Sequence, residues 1–249
     1  TDSALALASD GSVWAWGSNA GGKLGIDKTA AEESVVYAPQ QVALPENVDE
    51  IVDIVVTDDS SYFLGKHGKV YAAGKVSGNN GFGNAPTILS MLTNTVEVSG
   101  EFALKADGTL WSLPTDRTQP TVTKKNGPKD GSNEKTVISV STGVGKNTHT
   151  LLIDSDKKVW AFGQNDNGQL GNEDSSGVGR SDPVAVLDEN HDGEQLSNVR
   201  QVSAGDGYSL ALDTDGNVYG WGLNSNGQTG VADADGRPNG SKNIATLIN

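Results

Sequence analysis

The sequence predicts an all-β fold of the β-propeller class, with about five repeats of roughly 50 residues and four antiparallel strands in each repeat. One motif, a short apolar strand followed by a polar turn and an aromatic strand, recurs along the 249 residues. Its second strands begin at Val13, Val70, Leu110, Val159 and Val218, which mark copies one to five. The apolar residues show no helical period, so we expect radially arranged sheets rather than a helical solenoid.

The hairpins are clearest in LALASDGSVWAW, FALKADGTLWSL and LALDTDGNVYGW, from copies one, three and five. Asp-Gly at the centre of each string favours a tight turn between two strands. Further β-like runs precede later copies at 48–56, 136–143 and 198–205. Each repeat therefore has four short strands.

Glycines recur at three places in copies one, four and five, namely residues 17, 163 and 222, then 22, 168 and 227, then 25, 171 and 230. The strands are almost continuously apolar or small, which is typical of sheets covered on both faces. We therefore expect these glycines at positive φ or at close backbone contacts. Core packing is expected for the tryptophans at 14, 16, 111, 160 and 221.

Two strings, HTLLIDSDKKVWAFGQNDNGQLG and SLALDTDGNVYGWGLNSNGQTG, resemble the repeat of the regulator of chromosome condensation family. That resemblance implies a seven-bladed β-propeller, and it suggests a bacterial relative. We expect a single domain over 1–249. Its repeats are centred near 3–26, 61–84, 101–113, 148–171 and 208–230. Copy three is degenerate, because after FALKADGTLW it lacks the Trp-Gly step and the glycine series.

The two ends of the sequence bear on how the ring closes. SKNIATLI at 241–248 aligns with SDPVAVLD at 181–188. In copy four that strand is followed by NVRQVSAG and then by YSLAL, and the run DSALAL at 2–7 is the equivalent of YSLAL. We therefore expect one strand to be missing between the two ends. The sequence allows a five-bladed ring or part of a seven-bladed one. We expect the missing strand or blades to come from the rest of a larger chain.

Composition excludes several classes of partner. With 18 basic and 32 acidic residues, the chain carries a formal net charge of −14, which repels nucleic-acid phosphates and anionic lipids. It has no cysteine, so disulfides and thiolate metal sites are excluded. It also has no apolar run of membrane-spanning length, and we expect no membrane insertion.

No catalytic motif stands out, and we do not expect an enzyme. His67 lies in the turn GKHGKV, where a solvated side chain is expected. His149 occupies the place where the resembled family commonly has a histidine before the LAL strand, and the resemblance implies a structural hydrogen bond between blades. No cofactor is predicted apart from calcium.

The string DENHDG at 188–193 fits the start of an oxygen-rich calcium loop. Its ligands would be Asp188, Asn190, Asp192 and the carbonyl of Glu194. The twelfth position is a valine rather than a bidentate glutamate, and no flanking helices are predicted. A long inter-strand loop is the competing interpretation.

The segment 114–135 is net positive on an acidic chain. Its candidate partner-binding residues are Arg117, Lys124, Lys125 and Lys129. Such a loop can dock an acidic partner, although such a stretch is more often an insertion that tolerates any soluble sequence.

These observations favour a non-catalytic protein-interaction module that binds a protein partner through the loop-bearing ends of the propeller. Within the resembled family, the alternative is a guanine-nucleotide exchange factor for a small GTPase. A calcium-dependent or sugar-binding adhesion module is the third hypothesis. The Asp- and Asn-rich composition favours a secreted or cell-surface bacterial protein, and the alternative location is the cytoplasm.

Overall fold

The computed structural model describes residues 2–26, 34–74, 85–114, 122–232, 236–238 and 240–248. Its regular structure in these ranges consists of short strands and two one-turn 3-10 helices, Ala20–Gly22 and Glu189–His191. Within the same ranges no helix is long and apolar enough to cross a membrane. The chain divides into two compact units, Thr1–Lys125 and Asn126–Asn249. The predicted single domain and its repeat boundaries stay a prediction.

In its described residues, the first unit contains three antiparallel sheets whose strands pair in chain order. The first sheet is β1 (Ser3–Leu7), β2 (Val13–Ser18) and β3 (Val35–Gln41). The second is β4 (Ile51–Val56), β5 (Ser60–Gly65), β6 (Val70–Gly74) and β7 (Thr87–Ile88). The third is β8 (Thr95–Ser99), β9 (Phe102–Lys105), β10 (Leu110–Ser112) and β11 (Thr123–Lys124).

Where the structure describes it, the second unit contains a short hairpin and two antiparallel sheets of four strands. The hairpin is β12 (Lys129–Asp130) and β13 (Asn133–Glu134). The first sheet is β14 (Val137–Thr142), β15 (His149–Asp154), β16 (Val159–Gly163) and β17 (Arg180–Ala185). The second is β18 (Val199–Ala204), β19 (Tyr208–Asp213), β20 (Val218–Gly222) and β21 (Lys242–Leu247).

These four-stranded meanders confirm the predicted strand count in copies two to five. Copy three forms a complete sheet despite its degenerate sequence, although β10 and β11 have only three and two residues. Strand pairing needs backbone groups and an apolar face rather than the Trp-Gly step, and FALKADGTLW supplies both. A copy that lacks part of the sequence motif can therefore still form a four-stranded sheet.

Each hydrophobic core lies between consecutive sheets. In the second unit, Leu151 and Val159 pack in one cluster with Val202, Tyr219 and Trp221 of the next sheet. Among its described residues the first unit has two such clusters, one between its first and second sheets and one between its second and third. Because both faces of an inner sheet are covered, its strands are apolar almost without interruption.

The recurring glycines lie where no side chain fits. Gly163 has φ +111°, and a Cβ there would lie 2.7 Å from the Cα of His149 on the paired strand. At Gly171, with φ +63°, a Cβ would lie 2.8 Å from the indole nitrogen of Trp221. The prediction of positive φ and close contact is confirmed at both positions.

Core packing is confirmed for Trp221, which is fully buried, and for Trp160. It is wrong for Trp14, which is 39% exposed on β2. The Trp14 indole nitrogen donates instead to the hydroxyl of Ser12 in its own turn. The same repeat position therefore holds a buried ring in copy four and a surface ring in copy one.

A lysine lies in the interior of the first unit. Lys23 is only 3% exposed, and its ammonium group donates a hydrogen bond of 2.9 Å to the backbone carbonyl of Asp58. In copy four the same place in the repeat is filled by Gln169, which is also buried. The carbonyl bond offsets part of the cost of burying the amine.

Candidate protein-interaction surface

The hairpin turns of copies four and five are each closed by a buried aspartate. Asp154 is fully buried and accepts hydrogen bonds from the backbone nitrogens of Asp156 (2.9 Å) and Lys158 (3.0 Å) and from the Trp160 indole (2.8 Å). Asp213 accepts in the same way from Asp215 and Asn217. One carboxylate thus satisfies several donors of a turn that would otherwise stay unpaired.

Copies one and three close the turn from a different, exposed position. Asp107 accepts from the backbone nitrogen (3.0 Å) and the hydroxyl (2.6 Å) of Thr109, which in turn accepts from the indole of Trp111 (2.9 Å). These hydrogen bonds from Thr109 hold the pKa of Asp107 below its usual range. Asp10 forms the same arrangement with Ser12.

Copy two departs from both arrangements. Gly65 stands where copies four and five have the buried aspartate, and Asp49 from the preceding loop occupies the space, since a Cβ on Gly65 would lie 2.9 Å from the Cβ of Asp49. Asp49 Oδ1 lies 3.4 Å from His67 Nδ1 and 4.0 Å from the Lys69 ammonium. The copy-two turn therefore has His67, between Lys66 and Lys69, where the other copies have an aspartate.

This basic turn lines a cleft of about 590 Å³ in the first unit. One wall is formed by residues 66–68 of the copy-two turn, another by 93–96 at the start of β8, and a third by 105–107 of the copy-three turn. Two backbone hydrogen bonds fix these segments, from Thr95 to the Gly68 carbonyl (3.2 Å) and from Ala106 to the Asn94 carbonyl (2.8 Å). The cleft is part of the rigid scaffold between two sheets.

Charged side chains surround the cleft. The Lys105 ammonium lies 4.7 Å from the centroid of the Trp111 ring, a cation–π contact that holds the stem of the lysine in place. Lys66 pairs with Glu50 at 3.0 Å, and both side chains are more than half exposed. Val96, 56% exposed, adds an apolar surface. The cleft thus presents cations beside an apolar contact.

No motif or compositional signal in the sequence predicts this cleft. His67 was correctly expected to be solvated, since its side chain is 75% exposed. A role for Lys66 was not predicted, because a single lysine in a turn carries no signal in the amino-acid composition. Aligning the five turns would have found it, because only copy two replaces the turn aspartate with a histidine and flanks it with lysines.

The predicted calcium ligands form a capped turn. Asp188 caps the 3-10 helix Glu189–His191, accepts from the Asn190 nitrogen at 2.9 Å, and contacts His191 Nδ1 at 2.6 Å. This contact with Asp188 raises the pKa of His191. The Glu194 carbonyl accepts from the Asp188 nitrogen, and Asp192 takes up a left-handed conformation.

Two of the four predicted calcium ligands are therefore already engaged in hydrogen bonds. In the part of the chain that the structure describes, no three His, Cys, Asp or Glu side chains are grouped to hold a metal ion. The calcium site stays a prediction.

The described residues among the predicted basic set lie on different elements. Lys124 lies on β11, and the Lys125 nitrogen donates to the Leu110 carbonyl at 2.8 Å, which holds it against the third sheet. Lys129 lies exposed on the β12 hairpin of the second unit. Arg117 is outside the described residues. Their role in partner binding stays a prediction.

His149 forms a buried contact between the two sheets of the second unit. Its Nε2 lies 2.6 Å from the hydroxyl of Ser209, which donates to the Gln169 carbonyl at 3.0 Å. Burial lowers the pKa of His149 to about 4. His149 and Ser209 are inaccessible to a substrate, being 1% and 0% exposed. The pair therefore links the two sheets, which is the structural hydrogen bond that the family resemblance implied.

Comparison with known families agrees with this repeat geometry. Two sequence profiles described as "Regulator of chromosome condensation (RCC1) repeat" match residues 10–64 and 156–212, and 137–169 and 199–228. Together they cover more than half of the chain. The chain belongs to the regulator of chromosome condensation repeat family. Its four-stranded sheets are blades of a β-propeller.

Relatives of this RCC1-repeat chain are longer proteins. The guanine nucleotide exchange factor SRM1 of Saccharomyces cerevisiae is 25% identical over 92% of the chain and 44% of its own length. The serine/threonine-protein kinase Nek9 of Xenopus laevis is 29% identical over 95% of the chain and 21% of its own length. The chain spans about half or less of the curated relatives it matches.

Solved structures show the same fold. Human WBSCR16 superposes with a TM-score of 0.76 at 18% identity, covering all of this chain and 65% of that one. Yeast RCC1 (Prp20), in a crystal structure bound to Kap60, gives a TM-score of 0.69 at 19% identity, covering all of this chain and 59% of that one. RCC1-repeat propellers thus include proteins that bind other proteins.

Proposed function

We propose that this chain is a non-catalytic protein-interaction module that binds a protein partner through the turns at one end of its blades. The observation that carries the proposal is the cleft beside the copy-two turn, where Lys66, His67 and Lys105 project from a hydrogen-bonded scaffold. Exposed charged side chains on a rigid scaffold suit recognition of another protein.

The family supports the same function. The yeast RCC1 structure contains a bound protein partner, Kap60, which makes protein binding a precedent for this fold. A secreted or cell-surface setting stays a prediction, supported only by composition.

Site-specific crosslinking would test the proposal. A photoreactive amino acid at His67 should capture one partner from an extract of the source organism, whereas the same group at exposed Lys146 in the second unit should not. The partner is then purified and its affinity measured by calorimetry. Failure of the purified partner to bind, or equal capture from both positions, would contradict the proposal.

Guanine-nucleotide exchange is the second candidate function, because the relative SRM1 bears that name and aligns over 92% of this chain. It is tested by following release of a fluorescent guanine nucleotide from small GTPases of the source organism. Accelerated release would establish exchange. Unchanged release together with a captured partner supports the interaction module.

A further inference from the structure

The copy-two turn is distinguished from the other turns by its charge. At the second position of the turn, the other copies carry a carboxylate, and these residues are Asp10, Asp107, Asp156 and Asp215. Copy two has His67 there, with Lys66 before it and Lys69 two residues after it. Only in copy two does the second position of the turn lack a carboxylate that would repel an anionic ligand.

The fold keeps this exchange of charge compatible with a stable hairpin. Because Asp49 fills the space above Gly65, the turn keeps a carboxylate beside it without placing one in its own sequence. Asp49 lies near His67 and Lys69, so it faces those two side chains rather than Lys66. The substitution is thus accommodated by a second residue from outside the hairpin.

The cations around the cleft can accept a new partner. Lys66 is paired with Glu50, but both groups are exposed, and exposed ion pairs are weak because water screens them. Lys105 is oriented by the Trp111 ring and lies beside Asp107, whose Oδ1 is engaged by Thr109. A ligand carboxylate can therefore replace Glu50 at Lys66 and approach Lys105 from the cleft.

We infer that this cleft binds an acidic segment of the partner protein, with carboxylates on Lys66 and Lys105 and an apolar side chain against Val96. This inference rests on the proposed function and specifies the chemistry of the partner. Acidic peptide is favoured over nucleic acid, because a chain with net charge −14 repels a continuous phosphate backbone more strongly than a few clustered carboxylates.

Fluorescence anisotropy with labelled peptides tests the inference on the full chain. A 12-residue peptide of alternating Glu and Val should bind, and its Gln counterpart should bind at least tenfold more weakly. Raising the salt from 50 to 200 mM should weaken binding of the acidic peptide several-fold, because the contacts are solvent-exposed charges.

Variants locate the site. K66E/K105E should lose at least tenfold in affinity for the acidic peptide, whereas the single charge reversal K146E on the second unit should change it less than twofold. Circular dichroism of each variant confirms folding. Because Lys105 contacts Trp111, K66E alone is the safer variant, and a loss of about threefold is expected.

Three results would overturn the inference: equal affinity for the Glu and Gln peptides, an unchanged affinity in folded K66E/K105E, or tighter binding of a single-stranded oligonucleotide of equal charge at the same site. A partner that crosslinks at His67 but is insensitive to K66E/K105E would leave the interaction module standing and remove only its acidic ligand. The two proposals can therefore fail separately.

Discussion

The hairpin turns of copies four and two share a backbone shape but use opposite chemistry. In copy four a buried carboxylate, Asp154, accepts two hydrogen bonds from the backbone of its own turn and one from the Trp160 indole on β16. In copy two the carboxylate comes from Asp49, outside the hairpin, and the turn is left free to carry Lys66, His67 and Lys69. In copies two and four a carboxylate fills the same space but comes from a different place in the sequence, whereas copies one and three close the turn with an exposed aspartate.

The largest expected effect comes from removing the carboxylate of copy four. Asp154→Ala leaves two backbone donors and the Trp160 indole without their partner in a buried site, and we expect the free energy of unfolding to fall by about 3 kcal/mol. Urea denaturation followed by tryptophan fluorescence measures it. Asp10→Ala is the matched control, since that exposed turn can bond to water, and its loss should be much smaller. Equal losses in the two variants would show that the buried carboxylate has no special role.

The next effect is a dependence of stability on pH that comes from copy four. The unfolded chain protonates His149 below about pH 6.5, whereas the folded protein does so only near pH 4, since burial lowers its pKa to about 4. The unfolded state therefore binds more protons between these values, and stability falls as the pH falls. From pH 7 to pH 5 the loss from this group is about 2 kcal/mol.

His149→Gln keeps a hydrogen-bonding side chain but cannot titrate. Denaturation at pH 7 and pH 5 should show a smaller loss in this variant than in the natural chain, and the difference isolates His149 from the carboxylates. The structurally equivalent residues of copies one and two are Ser3 and Ser60, each paired with a glycine as His149 is with Gly163. An identical pH dependence in the natural chain and the variant would contradict the buried neutral histidine.

A smaller loss of stability is expected when Gly65 of copy two is replaced by aspartate, the residue at the equivalent position of copy four. Gly65→Asp forces a Cβ to within 2.9 Å of the Asp49 Cβ and brings two carboxylates together, so we expect a loss of about 1.5 kcal/mol. Adding Asp49→Gly should restore much of the stability, because the new aspartate then has the space to itself. Calorimetric melting of the single and double variants gives the coupling energy. If the losses of the two single variants simply add in the double variant, Asp49 does not occupy the space that the turn aspartate fills in copy four.

The sequence predicted the hairpins because their determinants are local. Alternating turns and apolar strands, and glycines such as Gly163, report directly on backbone conformation. The replacement by Asp49 could not be predicted, because its contact with Gly65 spans sixteen residues and depends on the path of a loop. The exposure of Trp14 was missed for a related reason, since burial of a strand residue depends on which face the neighbouring sheet covers.

The site was less predictable than the fold. The basic segment 114–135 attracted attention by composition, yet its described lysines lie on separate elements. The cleft of the first unit combines residues from two hairpins about 40 positions apart, and each hairpin is unremarkable alone. From the sequence, the cleft can be predicted only by comparing the turn residues of the five copies.

The buried amine of Lys23 gives the first unit an internal reporter. An acetylating reagent reacts with accessible amines within minutes. It reaches the Lys23 amine only when the hydrogen bond to the Asp58 carbonyl breaks. Mass spectrometry of the labelled chain would then read out transient opening between the first two blades, without any engineered probe.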